Sequence, residues 1–102
     1  MAQVLLTAEA EESRIEIWLR VAEASPDAAD RLLERIDEKC HLYATQPEMG
    51  SSRPDLGRQV RCFPVGNYVV IYRPLEDGIL VLIVIHGARD VPAVFREFFR
   101  RL

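Results

Sequence analysis

Apolar and polar positions divide the chain into segments of different period. Val4-Leu5-Leu6 is a short apolar run; Thr7, a side chain suited to an N-cap, follows, and then Ile15, Trp18, Leu19 and Ala22 recur at helical spacing. This predicts a short strand and then a helix. Ser25-Pro26-Asp27 opens a second helix with a capping hydroxyl, proline at the first helical position and an acid in the first turn. Ala29, Leu32, Leu33, Ile36, Cys40 and Tyr43 fall on one face of it, opposite Asp30, Arg31, Glu34, Arg35, Glu38 and Lys39. An αα-hairpin is expected, with Trp18 and Tyr43 as its aromatic core members.

Pro47, Gly50, Pro54 and Gly57 punctuate the next stretch, which reads as a loop. Gln59 to Phe63 alternates like a strand; Pro64-Val65-Gly66-Asn67 turns it into a second strand, Tyr68 to Arg73. After the Glu76-Asp77-Gly78 turn, Ile79 to Ile85 is apolar at every position and ends in His86, the pattern of a central strand buried on both faces. Alternation groups Arg61 with Phe63, Arg73 with Val69 and Ile71, and His86 with Leu80, Leu82 and Val84; register decides which groups share a face. The last segment, Asp90 to Leu102, spaces Val94, Phe95, Phe98 and Leu102 as a helical stripe, with Arg100 and Arg101 at its cationic end and Phe98-Phe99 as an exposed aromatic pair.

Composition narrows the class. With 102 residues, 49% hydrophobic and 28% charged, the chain is expected to form one domain over residues 1–102 with a single core. The N-terminus lacks a basic stretch before its short apolar run, and no window reaches transmembrane length, so a cytoplasmic location without membrane attachment is expected. Cys40 and Cys62 read as free thiols, and their spacing to His41 and His86 matches no metal motif; neither metal nor cofactor is expected. Charge is unevenly distributed: residues 1–57 carry 6 basic against 12 acidic side chains, whereas residues 58–102 carry 7 against 4. All cations of the second part are arginines, which suit bidentate recognition of carboxylate or phosphate, so a binding surface is sought there.

Taken in order, several short motifs resemble the RelE/ParE superfamily, specifically ParE toxins of type II toxin–antitoxin (plasmid stabilisation) modules. They are Thr7-Ala8-Glu9-Ala10, Ile17-Trp18, Ser25-Pro26, Ala28-Ala29, and Ala44 through Gly50. Arg61, Phe63 through Tyr68, Ile71-Tyr72-Arg73 and Ile85 through Asp90 complete the set. The resemblance implies a small α+β fold: an N-terminal strand, an αα-hairpin, a three-stranded antiparallel continuation of the sheet, and a short C-terminal helix. It also implies a ParD-like antitoxin partner in a hetero-oligomer, whose tail folds on binding, and contact with DNA only through that antitoxin.

Two activities divide the superfamily. ParE-type members are not nucleases and mostly inhibit DNA gyrase; RelE-type members cleave mRNA on the ribosome. For cleavage, His86 would act as base or acid, with Arg61, Arg73 and Arg89 as a cationic cradle. Two departures disfavour it: Val69 follows Gly66-Asn67-Tyr68 where RelE-type chains commonly carry arginine, and Phe95 stands where several have a catalytic tyrosine. A net charge of −3 and a pI near 5.4 also fit a ribosome-directed nuclease poorly. The expected reading is a non-enzymatic, gyrase-binding toxin whose antitoxin covers Arg61, Tyr68, Ile71, Arg73, Arg89 and Phe95. The endonuclease, or a toxin that has lost activity, is the alternative. Each polar residue also has a structural reading: His86 satisfying a nearby carbonyl, Arg73 and Arg89 paired with Asp77, Asp90 or Glu97.

Overall fold

A strand apolar along nearly its whole length needs cover on both faces and hydrogen-bond partners along both edges. Gly78–His86 is such a strand, with seven of its nine residues buried. The computed structural model, which describes residues 2–99, meets both needs. Its strands are β1 (Gln3–Leu6), β2 (Ser51–Ser52), β3 (Arg61–Val65), β4 (Tyr68–Leu75) and β5 (Gly78–His86), in one sheet ordered β1-β5-β4-β3-β2. Helices α1 (Ala8–Ala22) and α2 (Pro26–Thr45) pack on one face and α3 (Val91–Phe99) on the other. The architecture is α+β, as expected, and Arg100, Arg101 and Leu102, the expected helix end, lie outside the described residues.

β3, β4 and β5 form the antiparallel meander. The β3–β4 turn is tighter than anticipated: Val65 pairs with Tyr68, leaving Gly66 and Asn67 as a two-residue loop with Gly66 at φ 58°. That is the glycine-first, type II′ pattern of a hairpin. β1 joins the other edge of β5 in parallel, and at its start Gly78 faces Gln3 so closely that a Cβ would overlap the Gln3 carbonyl. The segment 47–57 was expected to be wholly loop, yet Ser51 and Ser52 pair with Cys62 and Arg61 as a two-residue edge strand. Two residues leave no alternation to detect.

β1 stops at Leu6, opposite Val81, and α1 takes over the exposed edge of β5. Thr7 donates its N–H to the Val81 carbonyl (3.1 Å) and its hydroxyl to the Leu82 carbonyl (2.6 Å), while Oγ1 accepts the Ala10 N–H as the helix N-cap (3.0 Å). One turn later, buried Ser13 accepts the Val84 N–H (3.1 Å) and donates to the Ala10 carbonyl (2.9 Å). This contact corrects the expected buried face of α1. Ala10, Ser13 and Ile17 face the sheet, whereas Ile15 and Leu19 are 61% and 57% exposed. Small residues allow the helix to come close enough for Ser13 to bond a strand backbone; isoleucine and leucine there would hold it off. Trp18 is likewise half-buried and donates to the Asp30 carboxylate (2.8 Å), so it borders the hairpin rather than filling it.

On α2 the expected face is the buried one: Ala29, Ile36 and Cys40 are enclosed. Tyr43 stacks on Phe63 with centroids 4.0 Å apart. Tyr72, fully buried, closes this cluster and donates its hydroxyl to the Pro47 carbonyl (2.7 Å) while accepting the Gly50 N–H (3.0 Å). Burial raises the pKa of that phenol, partly offset by the Gly50 N–H, so it stays a donor.

The β4–β5 ladder contains a bulge. Ile71 pairs with Ile83 but Tyr72 with Val81, so Leu82 is an extra residue on β5. Ile79, Val81 and Val84 pack with the hairpin, whereas Leu82, Ile83 and Ile85 pack beneath α3. The bulge overturns one expected grouping. His86 lies on the hairpin side with Val84, while Leu80 and Leu82 belong to the other face.

Ser13→Ala leaves the buried Val84 N–H without an acceptor and is expected to lower stability by about 1–3 kcal/mol. Urea unfolding should show a lower midpoint at unchanged m-value, whereas Ile15→Ser, on the exposed face, should stay within about 0.5 kcal/mol.

Candidate functional site

The sequence points to arginines and a histidine at strand ends, and the sheet distributes them. Arg61 opposes Tyr72 and His86 opposes Tyr68, so they sit on opposite flanks of β4 and four residues apart along it, about 13 Å by strand rise alone. Arg73 projects from the α3 side, opposite the hairpin. Arg89 is exposed in the turn that follows β5. The four residues of the nuclease alternative therefore converge on no common point.

Arg61 is an anchor for the loop after α2. Its Nη1 donates to the carbonyls of Glu48 (3.0 Å) and Gly50 (2.7 Å), and its Nη2 pairs with the Glu48 carboxylate (2.9 Å). These bonds use the fork of donors that a phosphate would need. His86 is committed too. Its Nδ1 accepts the Ala88 N–H (3.0 Å), which corresponds to the neutral ring with its proton on Nε2. The ring meets Tyr68 edge-on, with centroids 5.0 Å apart, and the two line a hollow of about 40 Å³ with Glu16 and Arg20 of α1. That volume suits a water and is too small for a nucleotide.

Arg73 and Arg89 differ from Arg61. Among the described residues neither has a carboxylate within 4 Å, so the expected pairing with Asp77, Asp90 or Glu97 is not formed there. Asp90 instead accepts the Ala93 N–H (3.1 Å) at the start of α3. Arg73 lines a cleft of about 260 Å³ with Thr7, Glu9, Leu80, Leu82, Phe98 and Phe99, between the end of α3 and the start of α1. Its Nε is buried and has no hydrogen-bond partner among the described residues.

Two residues expected at the antitoxin surface lie inside. Ile71 is 0% and Phe95 5% exposed, in the core between α3 and the sheet. α3 is short, and its buried side chains, Val91, Val94, Phe95 and Phe99, are spent on covering β4 and β5. The expected exposed pair Phe98-Phe99 is thus split: Phe98 is 46% exposed, Phe99 is buried. The cleft was missed because its floor comes from β4, β5 and α3, and only Arg73, ending an apolar strand, hints at it in sequence. Among the described residues no three His, Cys, Asp or Glu side chains cluster as metal ligands, and no helix is long and apolar enough to cross a membrane.

Comparison with known proteins bears on this arrangement. Residues 4–91 match the family model described as the ParE toxin of the type II toxin–antitoxin system parDE. The fold is similar to that of a chain in a solved structure titled the chromosomal ParDE TA system from P. aeruginosa. The TM-score is 0.69 at 19% identity, covering 84% of this chain and 96% of that one. No curated protein sequence matches.

The thiols give an independent check of the packing. Burial, reinforced by Asp37, pushes Cys40 up to about 12, so it stays protonated at neutral pH; Cys62 is only half-buried. Ellman's reagent at pH 8 should titrate one thiol in the native protein and two in denaturant, and Cys62→Ser should abolish the native signal.

Proposed function

We infer that this chain, which belongs to the ParE toxin family of type II toxin–antitoxin systems, acts by binding, with DNA gyrase as its target and a ParD-like antitoxin as its inhibitor. The observation that carries the reading is the dispersal of the chemically able residues. Cleavage of RNA needs a base, an acid and cations within hydrogen-bond reach of one phosphate. Here Arg61 is bound to loop carbonyls, Arg73 lies across the sheet from His86, and His86 Nδ1 is occupied by a backbone N–H. Val69 and Phe95 add no cation and no hydroxyl.

What the surface offers is better suited to protein contacts. Tyr68 on the hairpin side, Arg73 on the α3 side and Arg89 in the turn after β5 are each reachable by an antitoxin that wraps the sheet, while Ile71 and Phe95 lie in the core of the α3 side. The toxin would act in the cytoplasm, where gyrase is, in a module that stabilises its replicon. It would reach operator DNA only through the antitoxin.

Purified chain should inhibit gyrase supercoiling and leave mRNA on translating ribosomes intact. Ribosome-dependent cleavage without gyrase inhibition would replace this reading with the endonuclease. Neither effect, together with unaffected growth on expression without antitoxin, would identify a toxin that has lost activity. His86→Ala should keep its toxicity if the chain acts by binding and lose it, with folding intact, if His86 transfers a proton.

A further inference from the structure

We propose that the outer face of α1 is the surface by which the toxin engages its target, and that it receives a cationic patch of that protein with an apolar anchor at its centre; this rests on the gyrase-binding reading above. The face is built from an apolar stripe that the fold does not use. Ile15, Trp18, Leu19 and Ala22 recur at helical spacing, yet Ala10, Ser13 and Ile17 are the residues turned to the sheet. Ile15 and Leu19, one turn apart, are the most exposed large apolar side chains among the described residues, at 61% and 57%. Trp18, half-buried, lies beside them on the helix, and its indole N–H is already held by the Asp30 carboxylate (2.8 Å). Single exposed apolar residues are ordinary, whereas a row of them along one helix marks a contact surface.

Charge decides the occupant. Glu11 and Glu12 lie one turn before Ile15, and Glu23 one turn after Leu19, all exposed. Among the described residues none of the three has a cation within 4 Å; the close ion pair of the hairpin is Arg14 with Asp37 (2.7 Å), between α1 and α2. Residues 8–45 as a whole carry ten acidic side chains against five basic. Helix stability explains only part of this excess. Glu11 stands in the first turn, where the macrodipole favours an acid, but Glu23 is the C-cap, where the same dipole disfavours one. Such a rim repels nucleic acid, and a second copy of the chain would bring an equal excess of carboxylates on its own matching face. A cationic protein surface is attracted instead, and an enzyme that handles DNA has to present one to the phosphates. Burying Ile15 and Leu19 at the centre of the contact, with the carboxylates as its rim, gives an interface its usual division of affinity and steering.

The experiment measures direct binding of the full chain to purified gyrase, and inhibition of supercoiling, at low and at physiological salt. Ile15→Ser with Leu19→Ser should raise the concentration for half-inhibition at least about 20-fold. Glu12→Lys with Glu23→Lys should weaken binding about tenfold at low salt and less at higher salt, and wild-type affinity should itself fall as salt rises. Leu42→Ser, at a similarly exposed leucine on α2 outside this face, should change either readout less than about threefold. The substituted positions are all exposed, so urea midpoints near that of wild type are expected throughout and separate lost binding from lost folding. Equal binding and inhibition by wild type and both paired variants would overturn the α1 face and leave gyrase binding in place. A wild-type chain that neither binds nor inhibits gyrase would overturn both. No effect of the lysine pair, or tighter binding by it, would overturn the cationic occupant. Wild-type dimerisation lost in the serine pair, with gyrase inhibition unchanged, would assign the face to a second copy of the chain instead.

Discussion

The structure depends on satisfying the backbone of one buried strand. β5 is enclosed by the hairpin on one side and α3 on the other, so no water reaches groups that the sheet leaves unpaired. β4 supplies one edge along the whole strand; β1 supplies only the first part of the other. Past Leu6 the Thr7 and Ser13 hydroxyls take over, bonding Leu82 and Val84. A longer β1 would have met the same need, but two hydroxyls do so while starting α1 and drawing it against the sheet.

The bulge at Leu82 follows from the same region and has a wider effect. An extra residue shifts the side-chain alternation of β5, so Leu82 and Ile83 both face α3 and His86 returns to the hairpin side. It thereby separates the histidine from Arg73. Residues that a straight strand would have aligned end on different faces, one in a small hollow and one in an apolar cleft. A surface divided in this way suits recognition of partners from more than one side, and it suits acid–base chemistry at one phosphate poorly.

The three arginines near the sheet show how far environment decides what a side chain does. Arg61 is held by two carbonyls and a carboxylate and fixes a loop, beside the Tyr72 hydroxyl that clamps the same loop from within. Arg73 lies mostly among apolar side chains, with an Nε that has no hydrogen-bond partner among the described residues; Arg89 stands in an exposed turn. In sequence all three are cations at or beyond strand ends.

The sequence by itself determined the elements whose signals are local. Capping by Thr7 and Ser25, the apolar face of α2, the presence of a turn between β3 and β4 and the doubly buried β5 all arise from neighbouring residues, and the order of motifs along the chain identified the family; that Pro64 and Val65 belong to the strand, leaving only Gly66 and Asn67 in the turn, was decided by the pairing. What only the tertiary structure decided involves distant residues. Ser13 at 84's backbone, the α1 face turned away from Ile15 and Leu19, the two-residue β2, the burial of Ile71 and Phe95, and the Arg73 cleft each depend on contacts between segments tens of residues apart. Periodicity reports which side of an element is apolar. It does not report a bulge that shifts the period, nor a helix whose small residues are buried because a hydroxyl must reach a strand.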